Sequence, residues 1–92
     1  MVIFEWDSRK AVANIKKHGV DFADAVGIFE DVRAIVIEDA DAEGEQRFCS
    51  IGLDFTMKLL VVVYTYRHEE TIRIIAARKA TGKERAAYES GI

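Results

Sequence analysis

Between Lys58 and Tyr66 the chain reads KLLVVVYTY, nine residues in which almost every position is apolar or β-branched. A strand with one wet face would alternate polar and apolar residues. A run apolar at both parities predicts a central strand covered on both faces. The rest of the chain must therefore supply neighbouring strands and two covering layers.

Its neighbours carry the matching signals. Gln46 to Leu53 alternates, with Phe48 on one face and Arg47, Cys49, Ile51 and Leu53 on the other. Thr71 to Lys79 is predicted as the last strand. Regular alternation there would put Ile72, Ile74, Ala76 and Arg78 on one side and Arg73, Ile75, Ala77 and Lys79 on the other. A short strand is expected at Ala34–Ile37, an acidic turn at Asp39–Gly44, a tight turn at Arg67–Glu70 and a first short strand at Val2–Phe4. Asp7 or Ser8 can cap a helix running to about His18, ended by Gly19. Asp21 can cap a second, whose Phe22, Ala25, Val26 and Phe29 follow helical spacing. Thr81-Gly82-Lys83-Glu84 has the form of a capping box opening a final short helix. The order β-α-α-β-β-β-β-α predicts an α+β fold, an antiparallel meander with helices packed on it.

Ninety-two residues predict a single domain spanning 1–92. At that size roughly 60–65% of the unfolded surface can be buried, enough for one thin core. Cys49 is the only cysteine, so no internal disulfide is possible. The start MVIFEWDSRK lacks the basic and apolar regions of a signal peptide, and no apolar run approaches membrane length. A cytoplasmic protein with no membrane association is expected. The net charge of −3 argues against indiscriminate nucleic-acid binding. Its distribution is uneven: Met1 to Thr56 holds six Lys/Arg against twelve Asp/Glu, and Met57 to Ile92 holds seven against four. The end of the first helix and the C-terminal third can therefore form a local basic surface, or the two parts are simply two ordinary solvated faces.

Several residues stand out as carriers of chemistry. On the first helix Asp7, Lys10, Asn14 and Lys17 fall within an arc of about 80°, with His18 beside it. Ala11, Val12 and Ile15 occupy the neighbouring arc and are expected to face the core. The stripe reads either as the edge of a site or as a solvated face with an Asp7–Lys10 ion pair. His18 suits acid–base work near neutral pH, or equally a helix end bonding a free carbonyl. His68 sits in a turn beside Glu69 and Glu70 and reads as exposed. Arg47, Arg73 and Arg78 lie in strands, where a guanidinium must reach solvent, a carboxylate or an anion such as phosphate. Arg73 and Arg78 have opposite parity, so either a bulge brings them together or they serve different purposes. Glu84 and Tyr88 are one turn apart on the last helix, although Glu84 also suits the capping box. The histidines and the cysteine show no metal-ligand spacing, and no metal or cofactor is expected. P-loop, dinucleotide and nucleophile–histidine motifs are absent, which removes most common enzyme classes.

Taken in order, FEWD at Phe4–Asp7, N-x-x-K-H-G at Asn14–Gly19, F-x-x-A at Phe22–Ala25 and Phe29 resemble the BrnT family of type II toxins. The match continues through G-E-x-R-F at Gly44–Phe48, I-G at Ile51–Gly52, LLVVV at Leu59–Val63, R-I-I-x-A-R-x-A at Arg73–Ala80 and E-R-x-x-Y at Glu84–Tyr88. The resemblance implies a RelE-like fold and a metal-independent endoribonuclease that arrests translation. It implies a BrnA-like ribbon-helix-helix antitoxin, contact with operator DNA only through that antitoxin, and a homodimer or a heterotetramer with it. RNA cleavage by an activated 2′-hydroxyl needs a proton acceptor, a proton donor and cations around the phosphate. The resemblance makes Lys17, His18, Arg78 and Glu84 the catalytic candidates, with Arg47, Arg73 and Lys10 as phosphate binders and Tyr88 a further candidate. The family reads R-I-I-S-A-R where this chain has Ala76, which raises the alternative of a weakened toxin that acts as a non-catalytic, antitoxin-binding and promoter-modulating module.

Overall fold

The computed structural model describes residues 1–39 and 46–91. The chain runs β1 (Ile3–Glu5), α1 (Ser8–His18), α2 (Phe22–Ala25), a 3-10 turn (Val26–Glu30), β2 (Ile35–Asp39), β3 (Arg47–Leu53), β4 (Leu59–His68), β5 (Thr71–Lys79) and α3 (Gly82–Ser90). The acidic turn expected after Asp39 lies outside the described residues. One five-stranded sheet has the order β1-β5-β4-β3-β2. The four later strands form the antiparallel meander. The first does not follow it: β1 pairs parallel with β5, Ile3 opposite Thr71 and Glu5 opposite Arg73, so the sheet is mixed. Three residues carry no pattern that selects a partner strand, and tertiary packing made the choice.

β4 is central, as its composition requires. On one side Leu60, Val62 and Tyr64 join Ile72, Ile74 and Ala77 under Val20, Phe22, Ala25 and Ile28. On the other, Leu59, Val61 and Ile51 pack with Tyr88 of α3. Leu60 and Val62 have no exposed surface, and burying each contributes roughly 1.5–3 kcal/mol. The helical layer approaches the β3–β4 turn closely. A Cβ on Gly27 would lie 2.4 Å from the Phe55 backbone nitrogen, so only glycine fits.

The caps form largely as anticipated. Asp7 accepts from the Arg9 and Lys10 amides, and Gly19 ends α1 at φ 70°. The second helix is shorter than its apolar spacing suggests, four residues passing into the 3-10 turn. The expected core face of α1 is displaced. Val12 and Ile15 are 56% and 45% exposed, and Asn14 is buried instead. The reason is the free edge of β5. β1 stops opposite Arg73, leaving the Ala77 N–H and C=O without a strand partner. Asn14 takes that place: Nδ2 donates to the Ala77 carbonyl (2.8 Å) and the Val20 carbonyl (2.9 Å), and Oδ1 accepts from the Ala77 amide (3.2 Å). A buried backbone donor and acceptor must be satisfied, and an apolar side chain cannot do it.

Candidate functional site

The parity conflict between Arg73 and Arg78 is resolved by a bulge in β5. Val63 pairs with Ala76 and Tyr64 with Ile74, so Ile75 is an extra residue. Below the bulge Ile72 and Ile74 face the α1–α2 layer, and above it Ala77 does. Arg73, Ala76 and Arg78 therefore share the opposite face. They lie beside Thr65, Val63 and Val61 of β4, respectively. On β3, Cys49 pairs with Val63 and Ile51 with Val61; continuing that register places Arg47 beside Thr65. All three strand arginines thus stand on one face.

The face is ordered in rows across the sheet. The first holds Arg47, Thr65, Arg73 and Glu5, the second Cys49, Val63 and Ala76, and the third Ile51, Val61 and Arg78. Neighbouring strands are about 4.8 Å apart, so the Arg47 and Arg73 backbones are separated by about 10 Å. From Thr65 to Val61 the chain advances about 13 Å, which separates the first and third rows. Helix α3 covers the third row and beyond through Tyr88. Val63, Arg73, Ala76 and Arg78 stay only half-buried.

Each arginine has a different state. Arg73 donates to Glu5 at 2.5 Å. Arg78 makes a two-pronged pair with Glu84, Nη1 to Oε1 at 2.8 Å and Nη2 to Oε2 at 2.9 Å. The Arg47 Nε is buried without a hydrogen-bond partner among the described residues. A buried guanidinium nitrogen of that kind has a ready use for an anionic oxygen.

Glu84 is also the capping-box acid, accepting from the Thr81 amide while its own amide donates to the Thr81 hydroxyl. The Arg78 guanidinium, foremost, holds the Glu84 carboxyl down to about 2, with the Thr81 amide assisting. Arg78 is in turn raised by the same pairing. Tyr88 is buried, and its hydroxyl donates to Asp31 at 2.7 Å. Burial and the Asp31 carboxylate both push that hydroxyl up. Burial opposes ionisation of Asp31, but hydrogen bonds from the Leu53 amide, the Tyr88 hydroxyl and the Arg33 amide outweigh it and lower the carboxyl. Arg33 lies 5.2 Å from the Tyr88 ring centre. Tyr88 thereby fastens α3 to the sheet.

The α1 candidates stand elsewhere. Lys10 and Lys17 are exposed and His18 is half-buried; no described hydrogen bond or ion pair joins them to the strand arginines. Asp7 caps the start of the same helix. Its carboxyl is lowered first by the Lys10 amide and then by the Arg9 amide, with smaller contributions from the Lys10 and Arg73 charges. The sequence reading missed Glu5 as the partner of Arg73, because that contact depends on which strand β1 joins. Among the described residues, no three His, Cys, Asp or Glu side chains are grouped to hold a metal ion, and no helix is long and apolar enough to cross a membrane.

The family model described as "Ribonuclease toxin, BrnT, of type II toxin-antitoxin system" matches residues 6–84. The chain is similar to the crystal structure of the Brucella abortus ribonuclease toxin BrnT, with 29% identity and a TM-score of 0.70. That similarity covers 88% of this chain and 99% of the other. No curated protein sequence matches. With most of its length matched and the same α+β architecture, the chain belongs to the BrnT family of ribonuclease toxins of type II toxin–antitoxin systems.

Proposed function

We propose that RNA is held and cut on the arginine face without a metal, arresting translation in the cytoplasm until a ribbon-helix-helix antitoxin neutralises the toxin. The observation that carries this reading is the bulge at Ile75, which aligns Arg73 and Arg78 with Arg47. In this reading Arg47 takes a phosphate oxygen directly, while Arg73 and Arg78 are held in place by Glu5 and Glu84. Three guanidinium groups on one face, two of them held by carboxylates, suit the extra negative charge of a pentacoordinate phosphorus as the 2′-oxygen attacks and the 5′-oxygen leaves. Glu84 is a poor proton acceptor when its carboxyl is held down to about 2. We assign it to positioning Arg78. Lys10, Lys17 and His18 lie on the helix bonded to the β5 edge, and in this reading they contact flanking RNA. The toxin acts as a homodimer or pairs with its antitoxin in a heterotetramer, and operator DNA is contacted through the antitoxin.

The test is to express the chain alone and together with the adjacent open reading frame, and to incubate purified protein with RNA in chelator. Growth arrest relieved by the neighbour, with cleavage in chelator, is expected. Unimpeded growth and intact RNA from a folded preparation would overturn the reading. A second reading, a non-catalytic antitoxin-binding module, is favoured by Glu84 occupying both prongs of Arg78 and by the methyl group of Ala76 in the middle row. It requires altered operator affinity of the antitoxin on adding this chain, with no cleavage.

A further inference from the structure

The turn between β3 and β4 holds two apolar side chains out to solvent: Phe55 is 56% exposed and Met57 is 72% exposed. The backbone beneath them is tightly fastened. Asp54 Oδ1 accepts from the Thr56 amide (2.8 Å), the Thr56 hydroxyl (2.8 Å) and the Lys58 amide (2.9 Å). The Phe55 amide donates to the Asp24 carbonyl at 3.2 Å, where the turn packs on Gly27. Met57 has a φ of 67°, a left-handed conformation uncommon for any residue but glycine. A segment held in this way has already lost its conformational entropy on folding, so a partner that binds it has little left to order.

Phe55 and Met57 border a cleft of about 280 Å³ that also carries three carboxylates, those of Glu30, Asp31 and Asp54. Among the described residues no lysine or arginine lines it. Glu30 is exposed and has no hydrogen bond or ion pair among the described residues. Asp54 retains 5% exposure, and its Oδ2 has no described partner. A nearly buried carboxylate oxygen without a counter-charge is matched by a cationic donor. An aromatic ring and a thioether beside such anions fit a long aliphatic stem that ends in a positive charge, as arginine and lysine supply. Nucleic acid is repelled by the same carboxylates. From Arg47 to Leu53, at the cleft, β3 advances about 20 Å, so the cleft stands apart from the first row of arginines. A second copy of this chain is a poor occupant, because a symmetric contact would set acid against acid between chains of net charge −3. A protein that holds operator DNA must instead present cations of its own. We propose that the cleft is a docking point for the antitoxin, which seats an arginine or lysine there with its stem on Phe55 and Met57 and its charge on Glu30 and Asp54. This rests on the reading above, in which the antitoxin neutralises the toxin and contacts operator DNA.

The experiment measures the affinity of the full chain for the protein encoded by the adjacent open reading frame, with RNA cleavage followed alongside. Phe55→Ala and Glu30→Lys are each expected to weaken that affinity about tenfold or more. Both should cut RNA within about twofold of the parent, since the cleft and the arginine row are too far apart to couple. Met57→Gly suits the φ of 67°, so it removes an apolar contact while keeping the fold, and it should weaken the affinity too. Replacing the antitoxin's lysines and arginines with glutamate, one at a time, should find one position that loses affinity for the parent and regains it for Glu30→Lys. If the antitoxin binds the parent and all three variants alike, or if Phe55→Ala changes only the self-association of the toxin, the docking point is overturned and the toxin reading stands. If the antitoxin does not bind the parent, both fall.

Discussion

Replacing Asn14 with alanine isolates the contact that sets α1 on the sheet. The substitution removes three hydrogen bonds of 2.8, 2.9 and 3.2 Å. It leaves the Val20 carbonyl and both backbone groups of Ala77 without partners in a site that is 93% buried (Asn14 retains 7% exposure). Each buried group stranded in this way costs about 1–3 kcal/mol, and water entering the vacated space recovers part of that. The expected loss is about 3–4 kcal/mol, a large share of the 5–15 kcal/mol typical of a domain (roughly). In a chain this short it lowers the midpoint of thermal unfolding by about 15–25 °C. Asn14→Asp has a further signature. It keeps the acceptor for the Ala77 amide but sets a carboxylate against two carbonyls. Its deficit relative to the parent should therefore narrow as the pH falls and the acid protonates. Urea unfolding of the three proteins at several pH values measures this. Variants within about 1 kcal/mol of the parent would refute the strand-edge role. Unchanged stability with loss of RNA cleavage would instead place Asn14 in the site, as its position in the polar stripe had suggested.

Glu84→Gln keeps a capping residue but loses the charge of the Arg78 pair. The carboxyl moves from 4.5 to about 2 on folding, equivalent to about 3 kcal/mol if unscreened. Arg78 is 42% exposed, and screening reduces this to about 1–2 kcal/mol. Because the folded carboxyl is depressed, that stability is present above pH 4.5 and is lost as pH falls toward 2; parent and variant should converge there in acid unfolding curves. Tyr88→Phe removes the hydroxyl donated to Asp31 and should cost about 1.5–2 kcal/mol in urea unfolding, since a charged acceptor loses one of its donors. Ala76→Ser places a hydroxyl in the middle row between Arg73 and Arg78. It should raise RNA cleavage or toxicity while changing stability by less than about 0.5 kcal/mol; an unchanged cleavage rate would show that the missing hydroxyl is not what limits the reaction.

The local rules were legible in the residues. The apolar run at Lys58–Tyr66 required a central strand, and β4 is buried on both sides. Asp7, Gly19 and the Thr81–Glu84 box act within a few residues of themselves, so their roles as caps needed no tertiary information. The order of motifs along the chain also carried the family. Contacts between distant segments were different. The parallel seat of β1 on β5, and with it the Glu5–Arg73 pair, arises between residues 68 positions apart. Asn14 belonged by spacing to a polar stripe, but the unpaired edge at Ala77 drew it inward and turned Val12 and Ile15 out. The arginine face shows the division most clearly. Alternation alone separated Arg73 from Arg78, and one extra residue at Ile75, fixed only when β5 took its register against β4, reversed that parity. The order of the motifs was enough to place the chain in its family; which of its residues face one another was decided by strand register, because a shift of one residue moves a side chain to the other side of the sheet.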